Sequence, residues 1–305
     1  PLRLVGSEMC IRDSSSRAAE ICEYYGLPFI NLKFPIDERP SLEQIEQILK
    51  ENQDIALVYI THNETGTGIL NPIREIGALA HAYGAIFVVD TTSTYAMRPI
   101  NIKNDNIDFC MASAQKGLMA MTGISFVVGK RTIIEQSKTY PKRSYYCNLY
   151  MQYHYFEAHG EMHFTPPVQT VYAMRQAIKE YFAEGEQKKW ERHTRVFEAL
   201  HKGIERLGFQ DMIKRDWQAG LVVTVKYPDD PNWSFSAIHD YCYKRGFTIY
   251  PGKINNTETF RLCALGAIDQ SDIETFFEVF EAGLREMEVS LPVHYGLEEE
   301  TDERE

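Results

Sequence analysis

The sequence predicts an α/β protein whose mainly parallel sheet is followed by a smaller α+β region. Three observations carry this. Strand-like and helix-like segments alternate from residue 28 to residue 129, the pattern of βαβ units in an open sheet covered on both faces. The apolar run Ala85-Ile-Phe-Val-Val ends abruptly in Asp90. Polar clusters at His62–Thr67, Asp90 and Lys116 each follow a strand end, where open parallel sheets bind ligands.

Apolar residues Ala18, Ile21, Cys22 and Tyr25 recur at helical spacing, and Gly26 stops that helix. Residues 28–34 alternate as a strand. Residues 41–49 read as a helix with Ser41 as N-cap and Gln44 at the capping-box position. Residues 55–60 form a buried strand, and the Gly-rich loop 61–68 follows it. Pro72 opens a helix that ends near Tyr83-Gly84. Strands then fall at 85–89, 107–112 and 124–129. Residues 148–164 are aromatic and irregular. Helices are expected at 167–184 and 188–207, a strand at 221–227, a helix at 235–245, strands at 248–250 and 259–263, and a last helix at 271–287.

The 305 residues suffice for about two domains. Hydrophobic content of 44% supports a sizeable core. A net charge of -11 argues against a nucleic-acid surface. No apolar run reaches the roughly 18 residues of a membrane span, and no signal peptide is visible. Six cysteines without a regular framework read as free thiols of a reducing cytoplasm. The chain starts at Pro1 rather than Met, and residues 5–16 show neither helical nor strand periodicity. Residues 1–16 are therefore expected to be a non-native or disordered leader, 17–185 a large cofactor-binding domain, 186–290 a C-terminal small domain, and 291–305 a solvated acidic tail.

The pairing of Asp90 with the downstream Ser113-Ala-Gln-Lys116-Gly loop is the arrangement a pyridoxal phosphate enzyme needs. The lysine forms a Schiff base, and the aspartate keeps a proton on the pyridine nitrogen so that the ring acts as an electron sink. Other features have plainer readings. Gly66-Thr-Gly68 is too short for a dinucleotide fingerprint or a P-loop. His154, His159, Glu161 and His163 match no metal-binding spacing and read as an interface or pocket wall, so no metal is expected. Lys142 and Arg143 are surface charges or minor substrate contacts. Arg261 lies inside an apolar strand, where an unpaired charge would be costly.

Five or more motifs in register extend this reading. The runs His62-Asn-Glu-Thr-Gly-Thr-Gly-Ile-Leu-Asn-Pro-Ile73, Val89-Asp90, Ala112-Ser-Ala-Gln-Lys116, His163-Phe-Thr-Pro-Pro167, Phe247-Thr-Ile-Tyr-Pro-Gly-Lys253 and Phe260-Arg261 resemble the class V aminotransferases, most closely the 2-aminoethylphosphonate–pyruvate aminotransferases. The resemblance spans about residues 18–287. It implies a fold type I pyridoxal phosphate transferase, a homodimer, and exchange of an amino group between 2-aminoethylphosphonate and pyruvate. The nearest alternatives are an alanine- or serine-type class V aminotransferase using glyoxylate or pyruvate, and an inactive truncated fragment.

The resemblance also implies roles. Lys116 is the cofactor-linked lysine and Asp90 the pyridinium partner. Thr65 lies near the phenolic oxygen, and Ser113 and Gln115 contact the phosphate. Thr165 reaches the phosphate of a neighbouring subunit, and Arg261 anchors the substrate anion through its planar fork. His62 falls at an active-site position without a defined role. Two departures stand out. The family's phosphate-cradling Ser/Gly/Thr-rich turn is not found upstream of the first helix, as though about a fifth of a family member were missing. Gln115 stands where close relatives often carry Asn, a feature shared with the alanine–glyoxylate branch.

Overall fold

The computed structural model describes residues 3–8, 14–252 and 257–296. They divide into two units, 1–191 and 192–305. Lys253 of the 247–253 motif and tail residues 297–305 lie outside the described residues, as do residues 1–2 and 9–13 of the expected leader.

The first unit contains β1 (Arg3–Glu8), α1 (Ser14–Tyr24), β2 (Phe29–Lys33), α2 (Leu42–Glu51), β3 (Ile55–Thr61), α3 (Ile73–Ala82), β4 (Ile86–Asp90), β5 (Phe109–Ser113) and β6 (Ser125–Gly129). These strands form one sheet in the order β2-β1-β3-β4-β5-β6. All pairings are parallel except the antiparallel β5–β6 pair. The α/β class and mainly parallel sheet are as expected. Residues 3–8 differ from the expected disordered leader, because Arg3–Glu8 is a strand paired on both sides, to β2 and to β3. Ladder hydrogen bonds along both edges hold it as a strand, and these come from the backbone rather than from a side-chain pattern.

The apolar core of this unit lies between β3, β4 and the helices α2 and α3. Ile45, Leu49, Val58, Ile60, Ile76 and Phe87 are all buried there. Ser41 caps α2 by accepting from Gln44 N at 3.2 Å, and its hydroxyl donates to Glu43, while the Gln44 side chain makes no return bond to Ser41 N that would close a capping box. Asp108 ties β4 to β5. It accepts from Phe87 N at 2.7 Å, pairs with Lys130 at 2.5 Å, and meets His81 at 2.9 Å.

Beyond the sheet come α4 (Arg131–Gln136), α5 (Leu149–His159), α6 (Val168–Glu184) and α7 (Glu186–Arg206). The expected irregular segment 148–164 is in fact largely helix α5. Asn148 caps it by accepting from Met151 N at 2.9 Å, and Gly160 ends it at φ 70. No α5 residue is buried. An apolar stripe was therefore not there to mark it, and its caps alone define it.

The second unit adds β7 (Val222–Lys226), α8 (Phe235–Tyr243), β8 (Tyr250–Pro251), β9 (Thr259–Cys263) and α9 (Gln270–Glu286). Its antiparallel sheet runs β7-β9-β8. Val223, Val225, Phe260 and Leu262 pack with Phe277 and Phe280 in one core. The capping box that Ser41 lacks is present at α9, between Asp269 and Asp272.

Candidate active site

Because β3, β4 and β5 run parallel, Thr61, Asp90 and Ser113 all end at one edge of the sheet. Thr61 pairs with Asp90, and Asp90 pairs with Met111, two residues before Ser113. Three contacts then join the loops that leave this edge. Asn63 Nδ2 donates to Ser93 Oγ at 2.9 Å. His62 Nδ1 lies 2.9 Å from Thr94 Oγ1. Gly117 packs so closely on the Tyr95 carbonyl that a Cβ there would lie 1.9 Å from its oxygen.

Asp90 is buried, and its Oδ1 accepts from Thr92 N at 2.8 Å. Its backbone oxygen accepts from His62 N at 2.8 Å, which extends the β3–β4 ladder by one residue. Tyr59 lies two residues before Thr61 on the same strand. Burial pushes the Tyr59 phenol up, and the Asp90 carboxylate adds to that, as a neighbouring negative charge must.

Lys116 is exposed, in a tight turn after β5. Met119 N donates to Lys116 O at 2.9 Å, and Ala120 N donates to Ala114 O at 3.0 Å. Ser113, Gln115 and Thr65 are half-buried. The loop carrying Thr65 folds back on itself, with Gly68 N donating to Glu64 O at 2.7 Å and Asn71 N donating to His62 O at 2.8 Å.

Behind this edge His62 is buried, and its imidazole is pushed down to about 3 by burial, with the Arg98 charge adding to the effect and Asp105 opposing it. It is a neutral ring at working pH. Arg98 is itself lowered to about 10 by burial and by Arg39, and its guanidinium lies 4.4 Å from the centre of the Trp190 ring.

The structure thus brings Asp90, Ser113, Gln115, Lys116, Thr65 and His62 to one strand-end edge. Thr165 is exposed on the stretch between α5 and α6, five residues before Thr170, which sits against Gly123. Arg261 lies in the second unit on β9. It is buried, with Nε donating to Pro251 O at 3.1 Å and its guanidinium 5.9 Å from the Tyr250 ring. The histidine segment is a ladder of rings, with Tyr150 stacked on His154 and Tyr155 against both His159 and His163. Sequence reading did not single out Tyr59 or Ser93, and it held Asn63 only as part of the His62–Thr67 cluster, without a role. Tyr59 had one legible signal, its place two residues before a strand-end threonine.

These residues fit pyridoxal phosphate. The amide oxygens of Gln115 and Asn63 are buried without a hydrogen-bond partner. Such acceptors are costly unless a bound group or water supplies a donor. A buried carboxylate and an exposed lysine on adjoining strand-end loops are the two groups the cofactor's ring and aldehyde require.

A protein-family model for class V aminotransferases matches residues 14–247. The 2-aminoethylphosphonate–pyruvate transaminase 1 of Cupriavidus pinatubonensis is 33% identical over 276 residues, covering 90% of this chain and 73% of that protein. The 2-aminoethylphosphonate–pyruvate transaminase of Lysinibacillus sphaericus is 32% identical, covering 87% of this chain and 72% of its own length. Among solved structures, ureidoglycine–glyoxylate aminotransferase from Bacillus subtilis superposes with a TM-score of 0.85 at 20% identity, covering 95% of this chain and 75% of that one. That likeness bears out the fold. The family model and the sequence relatives show that this chain belongs to the class V aminotransferase family.

Proposed function

We propose that the chain is a pyridoxal phosphate-dependent aminotransferase that exchanges an amino group between 2-aminoethylphosphonate and pyruvate, giving phosphonoacetaldehyde and alanine. The observation that carries this is the joining of the loops after β3, β4 and β5, which brings the buried Asp90 and the turn that carries Lys116 to one edge. The substrate pair rests on the names of the relatives at 31–34% identity.

The cofactor supplies an electron sink for negative charge at the substrate carbon. Asp90 holds a proton at the ring nitrogen through a charge-assisted hydrogen bond. Lys116 Nζ is the group that would hold the cofactor's aldehyde carbon and would carry the proton at the substrate carbon. Thr65 would face the phenolic oxygen, Ser113 and Gln115 would hold the phosphate, and Thr165 would reach the phosphate of a second copy in a homodimer. Arg261 takes the phosphonate head group through its fork of donors. Neutral His62 fills the floor behind these loops without adding charge. We further assign the enzyme to the cytoplasm, in line with free thiols at Cys22, Cys110, Cys147, Cys242 and Cys263. Among the described residues no helix is long and apolar enough to cross a membrane. We assign the large domain to the unit that ends at Glu191 and includes the inner strand β1, not to 17–185, and the small domain to the unit that begins at Arg192. Residues 291–296 belong to that second unit and not to the expected tail, because Val293 is buried in its core.

An absorbance spectrum with pyridoxal phosphate, before and after 2-aminoethylphosphonate, tests the reading. A visible band that disappears on adding the phosphonate is expected, and Lys116→Ala should never show it. A band that responds to alanine or serine but not to the phosphonate would move the substrate to the neighbouring branch. No band in the wild-type chain would mark a fragment unable to hold its cofactor.

A further inference from the structure

We infer that Lys189 is a positioning residue for Lys116, its ammonium fixing the peptide that follows the reactive lysine. The inference rests on the role proposed for Lys116. Lys189 opens the second turn of α7 among exposed neighbours Glu186, Gln187 and Lys188, yet it is itself only 2% exposed. Lysine is almost never fully buried unless paired, because stripping water from an ammonium is costly. A methionine would fill a similar space without that cost, so the charge has a use.

Its Nζ donates to the Gly117 carbonyl at 2.5 Å, across 72 residues of chain, and lies 5.2 Å from the Tyr181 ring centre. On its other side Gly117 has no room at all. A Cβ there would lie 1.9 Å from Tyr95 O and 2.6 Å from Met97 Cγ. The peptide is therefore clamped between the loop after β4 and the Lys189 ammonium. Two residues on, Met119 is held at φ 58, a left-handed conformation that a non-glycine residue keeps only when its surroundings impose it. The next residue of α7, Trp190, carries the Arg98 guanidinium. Consecutive side chains of one helix thus brace the loops that follow β4 and β5. The reach of Lys116 begins at this turn, and displacing a reacting group by about 1 Å costs on the order of 10²-fold in rate.

The test compares Lys189→Met, which keeps length but loses the donor, with Lys189→Arg, which keeps both charge and donor. In the apoprotein, amide exchange at Met119 and Ala120 should quicken by about tenfold or more in Lys189→Met, because the clamped turn opens locally. With cofactor bound, the visible band should persist while kcat falls by about 10- to 100-fold and the amino-donor KM changes little. Lys189→Arg should recover most of both losses. A folded Lys189→Met with wild-type exchange and wild-type kcat overturns the inference, and so does a Lys189→Arg variant as impaired as Lys189→Met. Should Lys189→Met not fold, exchange in the wild-type apoprotein decides. Slow Met119 and Ala120 amides support the clamp, and amides as fast as those of the exposed stretch 141–146 overturn it. A wild-type chain without the visible band would defeat the role of Lys116 and leave the exchange result to judge Lys189 alone.

Discussion

Along β3 and β4 the side chains alternate between two faces of one sheet, and the two faces are built differently. On one, Val58, Ile60, Phe87 and Val89 join Ile45, Leu49, Ile76 and Ala80 of α2 and α3 in a broad apolar core. On the other, Tyr59, Val88 and Phe109 form a cluster of three, with Ala18 of α1 and Ile133 and Ile134 of α4 partly covering it. That second row continues to Thr61 and Asp90, which are paired at the strand ends. The first face has many similar residues performing one task. The second has single residues performing separate tasks. Loss of a side chain should therefore cost stability on the first face and turnover on the second.

The largest effect should come from the second face. Asp90→Asn keeps shape and burial but removes the charge proposed to hold a proton on the cofactor ring. It should lower kcat by about 10²- to 10⁴-fold, while urea unfolding of the apoprotein stays within about 1 kcal/mol of wild type. A variant that unfolds easily, yet turns over normally while folded, would assign Asp90 to the core and erase the contrast between the faces.

Phe87→Ala probes the first face. Phe87 is fully buried, and its ring packs where a Cβ on Gly77 would lie within 2.9 Å of it. Deleting the ring should cost about 3–5 kcal/mol, as transfer and cavity terms add. Turnover per folded molecule should be unchanged, because Phe87 lies on the α2/α3 face of β4, opposite the row that ends in Asp90. Equal losses of stability and of kcat would show that the apolar face also sets the site.

This contrast explains what could be read from the residues alone. α2, α3, α6, α7 and α9 each carry an apolar stripe, and β3 and β4 end in recognisable polar turns, so the α/β class and the strand-end positions of Asp90 and Lys116 were legible. Helix α5 was not, because it buries none of its residues and has no stripe to display. Strand β1 was not, because its evidence is pairing with β2 and β3 rather than any pattern of its own. The links that assemble the site join residues far apart in the chain: His62 to Thr94, Asn63 to Ser93, Lys189 to Gly117. Local periodicity carries no information about such pairs. The motif around Lys116 marks the lysine proposed to react, but nothing in it points to a second lysine on a distant helix.

His62 sharpens the comparison with a smaller effect. By alternation it follows Val58 and Ile60 on the apolar face, and its backbone N–H still bonds to Asp90 O. It is the titratable end of an otherwise apolar row. Its folded pKa of about 3, set first by burial and then by Arg98, lies below the usual value of about 6.5 for an unfolded histidine. Between these two values the unfolded chain binds a proton that the folded chain does not. Stability must therefore fall as the pH drops through that window and be flat above it, with a limiting slope of about 1.4 kcal/mol per pH unit from this one group. His62→Asn keeps a polar group for Thr94 and removes the titration. Urea unfolding at pH 7 and pH 5 should show the wild type losing up to about 2 kcal/mol more than the variant over that interval. The other histidines are common to both proteins, so the difference isolates His62. Parallel pH dependences would mean that water reaches the ring, and that the apolar face stops at Ile60.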